Sequence, residues 1–249
     1  MTPLNDVPQS ATRLGLPVIQ TPASVEVVTE RTIQEQGYRT TTDTAQGAVG
    51  VLSGDSAGAP ASFSMRGFSG SQINILYNGI WTGPGDITSR WMDTAGLAQV
   101  EFLKGPSSIM SGLNAIGGSI NYVNKQPTSG PVRNEIDASV DSFGSFRTHL
   151  GSGGNTGVQG LDYRFDAVGS KLNSFIDGDF RDLAGLAGQL NYRSPPTLRP
   201  LPPSNTKTTT VMPIGARRSS RSPSPVRTPS AASYRARQSA PLTARLSAR

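Results

Sequence analysis

The sequence predicts an α+β domain, a small mixed sheet with short helices, followed by antiparallel strands of membrane-barrel type and a disordered tail. Three observations carry this. Residues 100–127 read as strand, sharp turn, short helix, glycine corner and strand. Residues 135–193 alternate apolar and polar side chains between turn-forming clusters, the dyad of a membrane-barrel strand and equally of a soluble antiparallel meander, between which the segment before it decides. Residues 194–249 hold 10 of the 19 prolines and no acidic residue, a composition that buries too little apolar surface to order itself.

The net charge of +6 and pI near 10 belong to that tail alone. Residues 1–193 carry 13 basic and 17 acidic side chains, a net of −4, and residues 194–249 carry +10. Cysteine is absent, which excludes disulfides and thiolate metal sites. No apolar run approaches the ~18 residues of a membrane helix. The opening MTPLNDVPQS has neither a basic n-region nor an apolar core, so no signal peptide is visible. Residues 1–20 read as a flexible lead-in.

Residues 21–130 form the first expected domain. Ser24 to Val28 places valines at alternate positions, as a strand does. Thr29-Glu30 opens a helical stretch with Ile33 four residues on, and Asp43 to Val49 is a second helix-like stretch after Thr40 to Thr42. Phe63 to Ile80 holds a strand ending in Arg66-Gly67-Phe68, a turn at Ser69 to Ser71, and a strand from Asn74 to Tyr77. Asn78-Gly79 then signals a tight hairpin, since both residues tolerate positive φ. Val100 and Phe102 alternate with Glu101 in a half-buried strand, which Gly105-Pro106 breaks. Pro106 suits the first turn of a short helix over Ser107 to Ser111. Gly117-Gly118 allows a close backbone approach, and Ser119 to Lys125 alternates again, with Ile120 and Tyr122 on one face.

The stretch VEFLKGPSSIMSGLNAIGGSINYVNKQP resembles the plug signature of TonB-dependent outer-membrane receptors, a dozen positions matching in order over 28 residues. The segments TPASVEVVTERTIQEQG and FSMRGFSGSQINILYNGI are similar to further parts of that plug. The resemblance implies a receptor for ferric siderophores in the Gram-negative outer membrane, working with the TonB energy-transducing complex, with no enzymatic activity. It implies no cofactor, iron being carried only as a chelate, and no nucleic-acid partner. The loops after the RGF and NG strands would face the ligand. Arg66 offers a fixed cation and Trp81 and Trp91 flat apolar surface; the alternative for Arg66 is pairing with a plug carboxylate, and for the tryptophans packing inside the plug. Glu101 and Lys104 would take part in charge contacts between plug and barrel wall, and Gly67, Phe68, Gly105, Pro106, Gly117 and Gly118 are structural. The family's LERVEVLRGP stands here as LAQVEFLKGP, with Ala98 and Gln99. No TonB box is visible.

Gly54 to Gly58 spells G-x-S-x-G, the nucleophile elbow of serine hydrolases. The partner imidazole must be His149, the single histidine, which lies in a strand-like stretch. No HGGG-type oxyanion segment precedes Ser56, and residues 59–66 begin a helix poorly. A mobile Gly/Ala/Ser loop is the better reading.

From residue 131 to 193 the first strands of a barrel are expected. Ile136, Ala138, Val140, Phe146 and Leu150 share one parity, against Glu135, Asp137, Asp141, Arg147 and His149, and GSGGNTG comes next as a turn. Leu161, Tyr163, Phe165 and Ala167 then alternate with Asp162, Arg164 and Asp166, and a weaker run covers 186–193. Three strands do not close a membrane barrel. Plugged transporters need about 22 strands of about 9–11 residues each, and 56 residues follow Arg193. The tail, 194–249, reads either as an arginine-serine tract for nucleic-acid association or as an out-of-frame product. Read two bases later, codons allowed for Asn205 to Gly215 give a sequence similar to the next strand and loop of such receptors. The expectation is a truncated, non-transporting fragment.

Overall fold

The computed structural model describes residues 6–8, 16–54, 61–88, 92–106, 111–173, 179–193, 208–211 and 216–220. The chain divides into two compact units, Met1–Lys125 and Gln126–Arg249, against the expected boundary at 130.

In the first unit the strands are β1 Ser24–Thr29, β2 Val51–Gly54, β3 Ser62–Met65, β4 Phe68–Ser69, β5 Ile73–Tyr77, β6 Ile80–Pro84, β7 Leu97–Lys104 and β8 Gly118–Asn124. The helices are α1 Glu30–Gln36, α2 Thr41–Gly47 and the single turn α3 Gly85–Thr88. Local chemistry sets the helix ends. The Thr29 hydroxyl accepts from the Thr32 amide at the start of α1, and Gly37 closes it in the left-handed region at φ 69°. Thr40 and Asp43 form a capping box on α2. The main sheet runs β1-β7-β8-β5-β6, antiparallel except for the parallel pair β5–β8, and β2-β3-β4 form a small second sheet.

The central strands are buried on both faces, which alternation alone does not convey. On one face Val100, Phe102, Ile120, Tyr122, Ile73 and Ile75 make the core. On the other, Glu101, Ser119, Asn121 and Asn74 are equally buried. These polar residues tie to one another and to a loop. Asn121 Nδ2 and Gln99 Nε2 donate to the two oxygens of Glu101 at 3.0 and 2.6 Å, and Asn74 Nδ2 donates to the carbonyls of Ser111 and Leu113.

In the second unit β9 Arg133–Val140, β10 Phe146–Asn155, β11 Leu161–Asn173 and β12 Asp179–Tyr192 form an antiparallel meander. It is inside-out. Ile136, Val140, Phe146, Leu150, Phe165, Leu186 and Leu190 are exposed, while His149, Asp162, Arg164, Asp166 and Gln189 are buried. Water rewards the reverse arrangement, and a bilayer rewards this one.

Two expectations are corrected here. GSGGNTG is not a turn: β10 continues through Asn155, and the chain reverses at 156–160. The glycines lie in the strand because a Cβ at Gly151 would stand 2.9 Å from Arg164 Nη2, and one at Gly153 2.9 Å from Arg164 Cδ. The tail is expected to lack regular structure, yet β13 Thr208–Val211 and β14 Ala216–Ser220 both pair with β12. An open strand edge presents unpaired N–H and C=O groups that can template another segment. The remainder of 194–249 lies outside the described residues.

Candidate functional site

Strand β3 ends at Met65, and Arg66-Gly67 forms the tight turn to β4, with φ of 51° and 85° and Met65 opposite Phe68. Positive φ at both central positions matches the right-handed twist of a two-residue hairpin. Arginine is unusual there, and the turn holds its side chain out. Arg66 is exposed and, among the described residues, makes no ion pair. Its guanidinium lies over Gly105, 3.3 Å from where a Cβ would be. The alternative role of Arg66, pairing with a carboxylate of the same domain, is therefore not seen among the described residues.

The loop after β7 carries the neighbouring apolar surface. Phe68 lies on Gly117, whose added Cβ would fall 2.4 Å from the Phe68 Cβ. Trp81 lies on Gly112, 2.8 Å from such an atom to its indole, and remains 44% exposed. Leu113 and Ile116 of the same loop are exposed too. Trp81 thus combines both roles weighed for it, packing through one face of the ring and presenting the rest. Gly118, at φ 141°, takes the closest approach, its virtual Cβ only 2.2 Å from the Leu103 carbonyl oxygen. The result is an exposed cation and exposed aromatic and aliphatic groups resting on one glycine-rich loop, which Asn74 pins from beneath.

Trp91, Ser56 and residues 107–110 of the expected short helix lie outside the described residues. Pro106 is exposed at the end of the Gly105 turn. Glu101 and Lys104, expected at a barrel wall, have partners inside the first unit. Glu101 is fully buried among Gln99 and Asn121, and Lys104 Nζ binds the Glu26 carboxylate and the Val49 carbonyl.

The second unit holds a polar array that pairwise sequence reading missed. His149 Nδ1 is 3.3 Å from Asp137 Oδ2, and its Nε2 is 3.0 Å from Asp166 Oδ1. Arg164 donates to both oxygens of Asp166 and both of Glu135. Each member is charged or polar at the inward parity; that signal is visible in the sequence, but which residues meet depends on register. His149 is thus flanked by carboxylates on both ring nitrogens, with no serine at either. Among the described residues no group of three His, Cys, Asp or Glu side chains could hold a metal ion.

Residues 17–119 match the family model for the TonB-dependent receptor plug domain. They are a plug domain of that family. Over 154 residues the chain is 36% identical to the catecholate siderophore receptor Fiu of Escherichia coli K12, spanning 58% of this chain and 19% of Fiu. Over 193 residues it is 28% identical to the ferrioxamine B receptor of Salmonella typhimurium LT2, spanning 75% of this chain and 24% of that receptor. The solved pyoverdine outer membrane receptor FpvA of Pseudomonas aeruginosa PAO1 is similar with a TM-score of 0.71 at 25% identity, over 82% of this chain and 29% of FpvA. The chain therefore spans about a fifth to a quarter of the length of these curated relatives. The likeness extends beyond the plug into the strands of the second unit, whose inside-out burial fits barrel strands.

Proposed function

We propose that this chain supplies the plug and first barrel strands of an outer-membrane receptor for ferric siderophores, coupled to TonB. The observation that carries the reading is a plug domain joined directly to a strand meander with apolar groups outside and ion pairs inside. Arg66, Trp81 and Trp91 contribute the plug half of the ligand surface. A ferric chelate is large, oxygen-rich and often anionic, so an unpaired guanidinium beside aromatic faces suits it. Glu101 and Lys104 serve the plug's internal cohesion, and any contact with a barrel wall would add to the pairs already made. The chain is a non-transporting piece of a binding and transport protein rather than of an enzyme.

Small-molecule sites depend on enclosure, and the plug offers one side of it. Dissociation constants in the millimolar range are therefore expected, about −4 kcal/mol. Titrating tryptophan fluorescence with ferric hydroxamate, catecholate and carboxylate chelates, with inner-filter controls, measures this. Saturable quenching that weakens severalfold in Arg66→Ala supports the site. Quenching indifferent to Arg66→Ala removes Arg66 from it, and sub-micromolar affinity overturns the idea that the surface is half a site.

A further inference from the structure

Three buried oxygen acceptors on the polar face of the second unit have no hydrogen-bond donor: Asp162 Oδ1, Gln189 Oε1 and Asn191 Oδ1. They belong to adjacent strands. Asp162 of β11 stands directly opposite Asn191 of β12, and Gln189 lies two residues along β12, opposite Arg164. Direct cross-strand partners share a face, as do residues two apart on one strand. All three side chains therefore leave the sheet on one side. Asp162 is completely buried and Gln189 is 4% exposed. A buried acceptor left unpaired costs free energy, and folded proteins rarely leave several together.

The neighbouring arginine and serine donors are already engaged. Arg193 and Ser129 both donate to Asp162 Oδ2, which leaves Oδ1 as the unused oxygen. Arg164, the residue opposite Gln189, gives its Nε, Nη1 and Nη2 to Asp166 and Glu135.

We propose that Asp162, Gln189 and Asn191 form a site for a hard divalent cation of the calcium class. The donor set is oxygen only, one carboxylate with two carboxamide carbonyls, and such sets take calcium or magnesium rather than zinc or copper. Calcium tolerates irregular oxygen shells completed by water, whereas magnesium demands near-octahedral geometry and dehydrates reluctantly. Calcium is therefore preferred. A single carboxylate, half neutralised by Arg193, makes the site weak, with a dissociation constant on the order of 10⁻⁴–10⁻³ M. An ion there would join β11 to β12 beside the Arg164 array.

Calorimetric titration of the full chain in detergent micelles with calcium chloride, and separately with magnesium chloride, tests this. One saturable calcium site is expected, weakened at least about tenfold in Asp162→Asn, with magnesium weaker. Because Asp162 also holds Arg193 and Ser129, Gln189→Met and Asn191→Leu provide variants that keep side-chain size and spare that contact. Each is expected to weaken calcium binding severalfold while the thermal transition in EDTA is unchanged or raised. No saturable calcium binding up to about 10 mM overturns the proposal; a site filled by water, or an amide turned to donate to Asp162, gives that result. Equal calcium affinity in all three variants also overturns it.

Discussion

Tyr122 sits at the centre of the plug sheet, its ring tilted against Tyr77 with centroids 5.3 Å apart. Burial pushes its phenol well above the ordinary range, Tyr77 adds to the shift, and Thr41 eases it without a hydrogen bond of ordinary geometry. A raised folded-state value keeps the phenol neutral in the native plug. Its contribution is fully present below the unfolded value near ~10 and is lost as pH rises beyond it. Urea midpoints should therefore fall between about pH 9.5 and 11, and Tyr122→Phe should flatten that fall. An unchanged alkaline slope in the variant would remove Tyr122 as its source. Gly118→Ala is the severe change at this scale, because its Cβ meets the Leu103 carbonyl at 2.2 Å with φ at 141°. A loss of about 3 kcal/mol or more in urea unfolding is expected. The sequence shows that Gly117-Gly118 needs a close approach, but not to which atom. Nor does it show that Glu101 is buried: alternation marks two faces and does not say that both are covered.

Along single elements, pattern is the more reliable guide. β1, the Thr29 helix start and the Asn78-Gly79 turn are legible because caps and turns act between near neighbours, whereas α2 spans Thr41–Gly47 and not the expected Asp43 to Val49, because Thr40 and Asp43 cap it two residues earlier. β10 is not, because its glycines look like turn residues. They are set by a long-range demand, the path of the Arg164 side chain from β11. Gly151→Val should displace that guanidinium and leave Asp166 and Glu135 short of donors, costing about 2–3 kcal/mol. Lowered hydrogen-exchange protection across β10 and β11 would register it; protection equal to the parent chain would show the array to be dispensable. On the opposite face, Leu150→Arg and Phe165→Arg should each weaken association with phosphatidylcholine vesicles, by up to about 2–4 kcal/mol if the residue lies near the midplane. Vesicle flotation that does not change would argue that this face does not meet lipid.

At the scale of the molecule, the core residues of the first unit come entirely from within it, and its sheet includes strands from Ser24 to Asn124. Its main strands are legible because the plug concentrates its turns, caps and glycine corners in one continuous stretch. The second unit is legible as strands but not as a network, since ion pairs such as Arg164 with Glu135 join residues 29 apart in the chain. The self-contained core argues that the plug folds without the strands downstream of Lys125. A chain ending at Lys125 should unfold cooperatively in urea, with near-ultraviolet dichroism from its aromatic residues like that of the full chain's first unit. Deleting only residues 194–249 should leave that transition in place, because among the described residues no element of the plug sheet pairs with the tail. Limited proteolysis of the full chain should leave a resistant fragment close to residues 20–125. Non-cooperative unfolding of the shorter chain, with 8-anilinonaphthalene-1-sulfonate binding typical of an expanded state, would mean instead that the buried face carrying Glu101, Asn121 and Asn74 needs the rest of the protein to cover it.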